Sequence, residues 1–163
     1  MVRSEHYFAA AVERSRQANL LYLDGRSFAL AIYVAGLSSE CLLRAFKARH
    51  DETFDERHDM LRLLAASGLM DIDRQQLIDT GMIDSDIDIH LQQLKVAVHE
   101  ICLLWSNRYR FAPEELLRSH LKRRTQYRKI KGDYLKAQAR RLLDATDVLM
   151  RQGFLRWRLS GHR

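Results

Sequence analysis

The stretch that decides the fold is Gly25–His50, GRSFALAIYVAGLSSECLLRAFKARH. Gly25 ends whatever precedes it, and Ser27 has the side chain of an N-cap. From Phe28 to Ala48 there is no Pro and one interior Gly. At ~1.5 Å per residue this predicts a helix of about 30 Å. Its first half, Phe28 to Ala35 and Leu37, is apolar nearly all round. A helix without a polar face is buried on most sides, so this is the expected central helix of a bundle. Gly36 costs roughly 1 kcal/mol against Ala in mid-helix, and a close crossing with a second helix would explain it.

Glu40 breaks the apolar run. It shares a face with Gly36, one turn before it, and Arg44, one turn after it. A carboxylate near a core needs a partner. An i,i+4 pair with Arg44 is one reading. A polar cluster reached by another helix is the other, and it predicts that Glu40 holds Arg108, with Tyr109 beside it.

Working outward, Ser4–Asp24 has apolar residues at Tyr7, Phe8, Ala11, Val12, Ala18, Leu21 and Tyr22, the pattern of an amphipathic helix. Asp24-Gly25-Arg26 then makes a tight antiparallel hairpin with the central helix. After His50 comes a charged loop. His58-Asp59 opens a short helix with Leu61, Leu64 and Ala65 expected inward, ended by Ser67-Gly68. Another helical turn runs from Asp73 to Ile78.

A second long helix is predicted over 85–110, from the stripe Ile87, Leu91, Leu94, Val98, Ile101, Cys102, Trp105, Tyr109. Pro113 suits the first turn of a following helix, with Glu114 and Glu115 at its start and cations near its end. The last long helix runs from Tyr134 to Met150, and Gly153 is read as its end. That leaves residues 154–163 as a basic, aromatic tail.

The acidic groups suggest no metal. Glu52, Asp55 and Glu56 near His50 and His58 follow no ligand spacing. Asp84, Asp86 and Asp88 are accounted for as first-turn residues of a helix, with Ser85 or Asp84 as cap. No cofactor is expected. Cys41 and Cys102 fall within apolar patterns and form no metal pair, which suggests a reducing, cytoplasmic home. The chain shows no signal-peptide pattern at Met1 and no run of ~20 apolar residues, so no membrane span is expected.

The 163 residues carry a net charge of +6, but unevenly. Residues 1–107 sum to −5 and residues 108–163 to +11. A basic C-terminal third suggests a polyanion-binding surface. Arg118, Lys122, Arg123, Arg124, Arg128 and Lys129 would neutralise phosphates, with Tyr127 among them to stack on bases.

The order Gly25-Arg26, Ala31, Tyr33, Ala35-Gly36, Glu40, Leu43-Arg44, His58 with Leu61 and Leu64, and Arg108-Tyr109 resembles the HEPN domain family. The match covers roughly residues 5 to 111. The resemblance implies an all-α, up-and-down helical bundle: a HEPN-like core over 1–112, completed by basic helices over 113–163. It also implies a two-fold homodimer, RNA-directed activity in toxin–antitoxin or defence systems, and a nucleotidyltransferase-type protein partner.

Catalytic members of that family have an Arg, then four to six intervening residues, then a His, so that the Arg positions charge and the His does acid–base work. Here Arg44 with His50, and Arg156 with His162, satisfy the spacing. Arg108 itself is followed by no His at that spacing, His120 being twelve positions on. The expected function is therefore a module that binds RNA, nucleotide or a partner protein. A metal-independent ribonuclease and a purely structural scaffold are the alternatives.

Overall fold

The computed structural model describes residues 2–51, 53, 58–71, 74–125 and 130–160. Among them there is helix and no strand. The helices are α1 (Ser4–Asp24), α2 (Phe28–His50), α3 (Met60–Ser67), α4 (Arg74–Asp79), α5 (Asp84–Leu104), α6 (Glu114–Arg124) and α7 (Tyr134–Ser160), with a 3-10 turn at Asn107–Phe111.

Gly25 adopts φ +72°, the left-handed conformation that closes α1, and Ser27 caps α2 by accepting from the Leu30 amide at 3.2 Å. The hairpin is antiparallel. Tyr22 meets Phe28 near the turn, and the Ser38 hydroxyl donates to the Ala11 carbonyl at 2.7 Å further along. α7 runs parallel to α2, since Ser39 meets Thr146, Leu42 meets Gly153 and Phe46 meets Trp157. α5 runs antiparallel to α7, with His90 on Gln152 and Glu100 on Arg141. The four long helices thus alternate in direction, with α3 and α4 inserted in the second connection and α6 in the third.

The core is built from the stripes read above: Ala11 and Ala18 of α1, Ile32 to Phe46 of α2, Leu94 to Trp105 at α5, and Leu135 to Met150 of α7. By length and composition α2 also qualifies as a membrane-crossing helix, with mean hydropathy 1.4, but 67% of that window is buried inside the bundle. Its apolarity is therefore satisfied within one chain and does not demand a second copy.

Four expectations are corrected. First, Gly36 is not a helix crossing. A Cβ there would fall inside the Trp105 indole, which lies on the α2 backbone and donates its Nε1–H to the Tyr33 carbonyl at 3.0 Å. Second, α5 stops at Leu104, and Arg108 and Tyr109 sit on the 3-10 turn.

Third, Gly153 does not end the last helix. It packs against Leu42, where a Cβ would come within 2.6 Å of Cδ2, and α7 continues to Ser160 as the longest element. Residues 154–160 of the expected tail are thus part of the bundle, with Trp157 stacked on Phe8 at 4.4 Å and edge-on to Phe46 at 5.4 Å. Fourth, α3 buries Met60, Leu63 and Ser67, while Leu61 and Ala65 are exposed.

Candidate functional site

Asp59 caps α3 through the amides of Leu61 and Arg62, at 3.1 and 3.2 Å. That cap fixes the entry of α3 against α2 and brings His58 over Glu40. Glu40 is 2% exposed. Its Oε1 accepts from Arg44 Nε at 2.8 Å, and His58 Nδ1 lies 2.8 and 3.0 Å from its two oxygens. With the Glu40 carboxylate as acceptor, Nδ1 is the ring nitrogen of His58 that donates. Both readings of Glu40 therefore hold in part. The pair with Arg44 exists, and a second element does reach it. That element is α3 through His58, not the helix bearing Arg108.

His58 opens on a pocket of about 400 Å³, lined also by Asp59, Met60, Leu61, Cys102, Trp105, Ser106 and Arg124. Arg124 and Arg108 have exchanged the places expected of them. Arg124 donates to the carbonyls of Cys102 at 2.6 Å and Trp105 at 3.4 Å, and to the Tyr109 hydroxyl at 3.4 Å. It caps the C-terminus of α5, where carbonyls lack helical partners and a cation suits the dipole. Arg108 is exposed.

The Tyr109 ring meets His120 edge-on at 5.6 Å. Burial, then the charges of Arg124, Arg123 and Arg108, hold His120 below its ordinary pKa. So three arginines gather around one imidazole, where α6 meets the 3-10 turn. Beside them Phe111 is 76% exposed, with Arg110 over its ring at 4.4 Å. Burial pushes the Tyr109 phenol up, against the opposing pull of Arg124.

The other predicted residues are distributed as follows. Arg118 is half-exposed and pairs with Glu114 at 3.3 Å and Asp133 at 3.8 Å. Lys122 lies 5.7 Å from the centre of the Tyr134 ring. Arg123 is exposed. Tyr127, Arg128 and Lys129 lie outside the described residues, as do His162, Glu52, Asp55, Glu56 and Asp73.

The Arg44–His50 pair is not assembled, and the His162 of the other pair lies outside the described residues. Arg44 is buried on Glu40, while His50 is exposed at the end of α2. Arg156 is 9% exposed inside α7 and donates to the Leu69 carbonyl, so it is not on a tail. Asp84 and Asp88 are clamped by Arg74, at 3.2 and 2.9 Å, and the residue at the α5 cap is Ile83. Among the described residues no three His, Cys, Asp or Glu converge as a metal set. Burial pushes the Cys41 thiol up to about 11 and raises Cys102 as well, which makes both poor nucleophiles.

Sequence reasoning missed His58 as the partner of Glu40, and it missed Phe111. The one available signal for the first was the unexplained carboxylate of Glu40. For the second it was an aromatic between basic residues, in Arg108-Tyr-Arg-Phe111. Compared with known proteins, the chain matches no family model, no curated protein and no solved structure.

Proposed function

We propose that this chain binds single-stranded RNA on the surface made by the 3-10 turn and α6, as a HEPN-like module. The observation that carries this reading is the gathering of Arg108, Arg123 and Arg124 around His120. After burial, it is these three cations that lower the imidazole's pKa, and their positive potential attracts phosphates. The exposed Phe111 supplies a face on which a base can stack. Arg124 contributes charge from a fixed position, while the exposed Arg108 and Arg123 can reach phosphate oxygens. The homodimer and the nucleotidyltransferase-type partner rest on the family resemblance alone.

Fluorescence anisotropy with a labelled RNA oligonucleotide, repeated over a range of salt, tests the reading. The double variant Arg108→Glu/Arg123→Glu leaves the circular dichroism unchanged. It weakens binding and flattens the salt dependence by about 0.7 for each phosphate that is no longer neutralised. Phe111→Ala costs about 1–3 kcal/mol of binding if one base stacks there. Wild-type affinity and salt slope in the double variant would leave only a solvated face and favour the scaffold reading. Arg124 is unsuitable for charge reversal because it holds the end of α5.

A second reading is favoured by one observation, the Glu40–His58 pair at the pocket. A buried carboxylate that orients an imidazole is an acid–base device, and it could move a proton at a ribose 2′-hydroxyl without metal. In the same assay with EDTA present, cleavage that disappears in His58→Ala while binding is retained would support it. Intact RNA with wild-type protein removes it.

A further inference from the structure

We infer that the pocket beside His58 takes one unstacked base of the bound strand, and that the base it selects is guanine. The inference rests on the RNA reading above and adds to it a source of base preference. At about 400 Å³ the pocket is at the small end of ligand sites. That suits a base with its sugar rather than a run of nucleotides. Two of its residues join it to the RNA surface. Ser106 caps the 3-10 turn that carries Arg108 and Phe111, accepting from the Arg108 amide at 3.4 Å. Arg124 lines the pocket and also donates to the Tyr109 hydroxyl on that turn. The turn that presents Arg108 thus borders the pocket. Bases splayed from a single strand are read in such recesses, packed on side chains and hydrogen-bonded along their edges.

The lining fits an uncharged heterocycle. Met60, Leu61 and Trp105 supply apolar wall. Asp59 brings one carboxylate and Arg124 one guanidinium. After burial, Arg124 pulls the pKa of the Cys102 thiol down and Asp59 pushes it up, so both charges are felt inside the pocket. A phosphate here would set its anion against Asp59, and against Glu40 behind His58. Phosphates are better placed on the exposed Arg108 and Arg123. A neutral base meets no such repulsion.

Hydrogen-bonding chemistry selects guanine. Asp59 caps α3 through Oδ1 alone. Its Oδ2 lies 3.5 Å from Arg62 Nε on a side chain that is 47% exposed, so lone pairs remain to accept from a ligand. Guanine sets two donors side by side, N1–H and the 2-amino group. Adenine, cytosine and uracil each place a bare acceptor beside their donor, and a carboxylate repels it. On its adjoining edge guanine carries O6 and N7, the acceptors that arginine favours. Arg124 makes three hydrogen bonds, which leaves two of its five N–H groups for them. Asp59 and Arg124 together complement both edges of one base.

The test is titration of the full chain with guanosine, inosine, adenosine, cytidine and uridine, read by tryptophan fluorescence. Trp105 lines the pocket, while Trp157 is packed on Phe8 and Phe46. Guanosine changes the emission saturably, and with no phosphate to bind, its affinity is independent of salt. Inosine, which lacks only the 2-amino group, binds about tenfold more weakly, and the other three bind no better than inosine. Asp59→Asn keeps a good helix cap but sets an amide donor where Oδ2 stood. Its circular dichroism matches wild type, and guanosine loses its advantage over inosine.

No saturable response to guanosine, equal affinity for guanosine and inosine, or a guanosine preference that survives Asp59→Asn overturns the pocket. Should the variant fail to fold, the inosine comparison on wild type decides. A uridine-only oligonucleotide tests the RNA reading separately, since it has phosphates and no guanine. Replacing one of its uridines by guanosine tightens binding about tenfold. Salt-dependent binding of the uridine strand with no response to guanosine keeps the RNA reading and overturns this inference. A guanosine response with no binding of either strand overturns the strand as the source of the base.

Discussion

At the scale of single residues, Glu40 is where the fold and the candidate site share an atom. Its carboxylate accepts from Arg44 within α2 and from His58 across to α3, while 2% exposed. A buried ion is tolerable only when its partners compensate for lost hydration. Glu40→Ala therefore takes from the buried Arg44 guanidinium the carboxylate it is paired with, and releases His58 from its orientation. The loss is about 3–5 kcal/mol, the cost of breaking rather than replacing a buried pair. Urea unfolding followed by circular dichroism reads it, and a midpoint equal to wild type would show that the pair is not buried in solution. His58→Ala is milder for stability, because that side chain is 44% exposed.

At the scale of elements, two glycines fix how close α2 comes to its neighbours. Trp105 lies against Gly36, and Gly153 lies against Leu42. Gly36→Ala sets a methyl where the indole now sits, so the ring must leave and its bond to the Tyr33 carbonyl breaks. Overpacking of this kind costs about 1–3 kcal/mol. The double variant Gly36→Ala/Trp105→Leu should recover part of that loss, and a mutant cycle measures the coupling. Additive losses would mean that ring and glycine do not touch.

This packing also shows what the sequence made legible. The periodicity of Ile87 to Ile101 and of Leu135 to Leu149 gave helices, because side-chain period is local. It could not give the turn at Trp105, nor that Gly36 faces an indole, since both depend on residues far apart in the chain. The same limit hid the site. Glu40 was legible as a carboxylate in need of a partner, but His58, eighteen residues on, arrives only through the Asp59 cap on α3. Arg108 and Arg124 look alike in sequence, and only the break between α5 and the 3-10 turn decides which one anchors and which one is exposed.

At the scale of the whole molecule, helix packing partly buries two imidazoles that the unfolded chain would hydrate, His90 between α5 and α7 and His120 on α6 beside the 3-10 turn. Burial and then the charge of Arg156 lower the pKa of His90, with the Gln152 contact opposing them. Other charged groups of the α5/α7 groove are Glu100, Arg141, Asp144 and Arg151. Burial and then Arg124, Arg123 and Arg108 lower that of His120. For both, the unfolded chain binds a proton more readily than the fold. Their contribution is fully present above the ordinary histidine value of 6.5 and is lost as pH falls through the lowered values. Carboxylates with depressed values act in a lower window, Asp51 being held at about 2 by Thr53 and Lys47. Stability should therefore drop between neutral pH and the onset of carboxylate titration. Urea midpoints measured across that range for wild type and for His90→Gln/His120→Gln isolate the effect, because the variant cannot take up those protons. Its pH dependence should be shallower than that of wild type. Parallel curves for the two proteins would mean that neither imidazole is desolvated by the bundle.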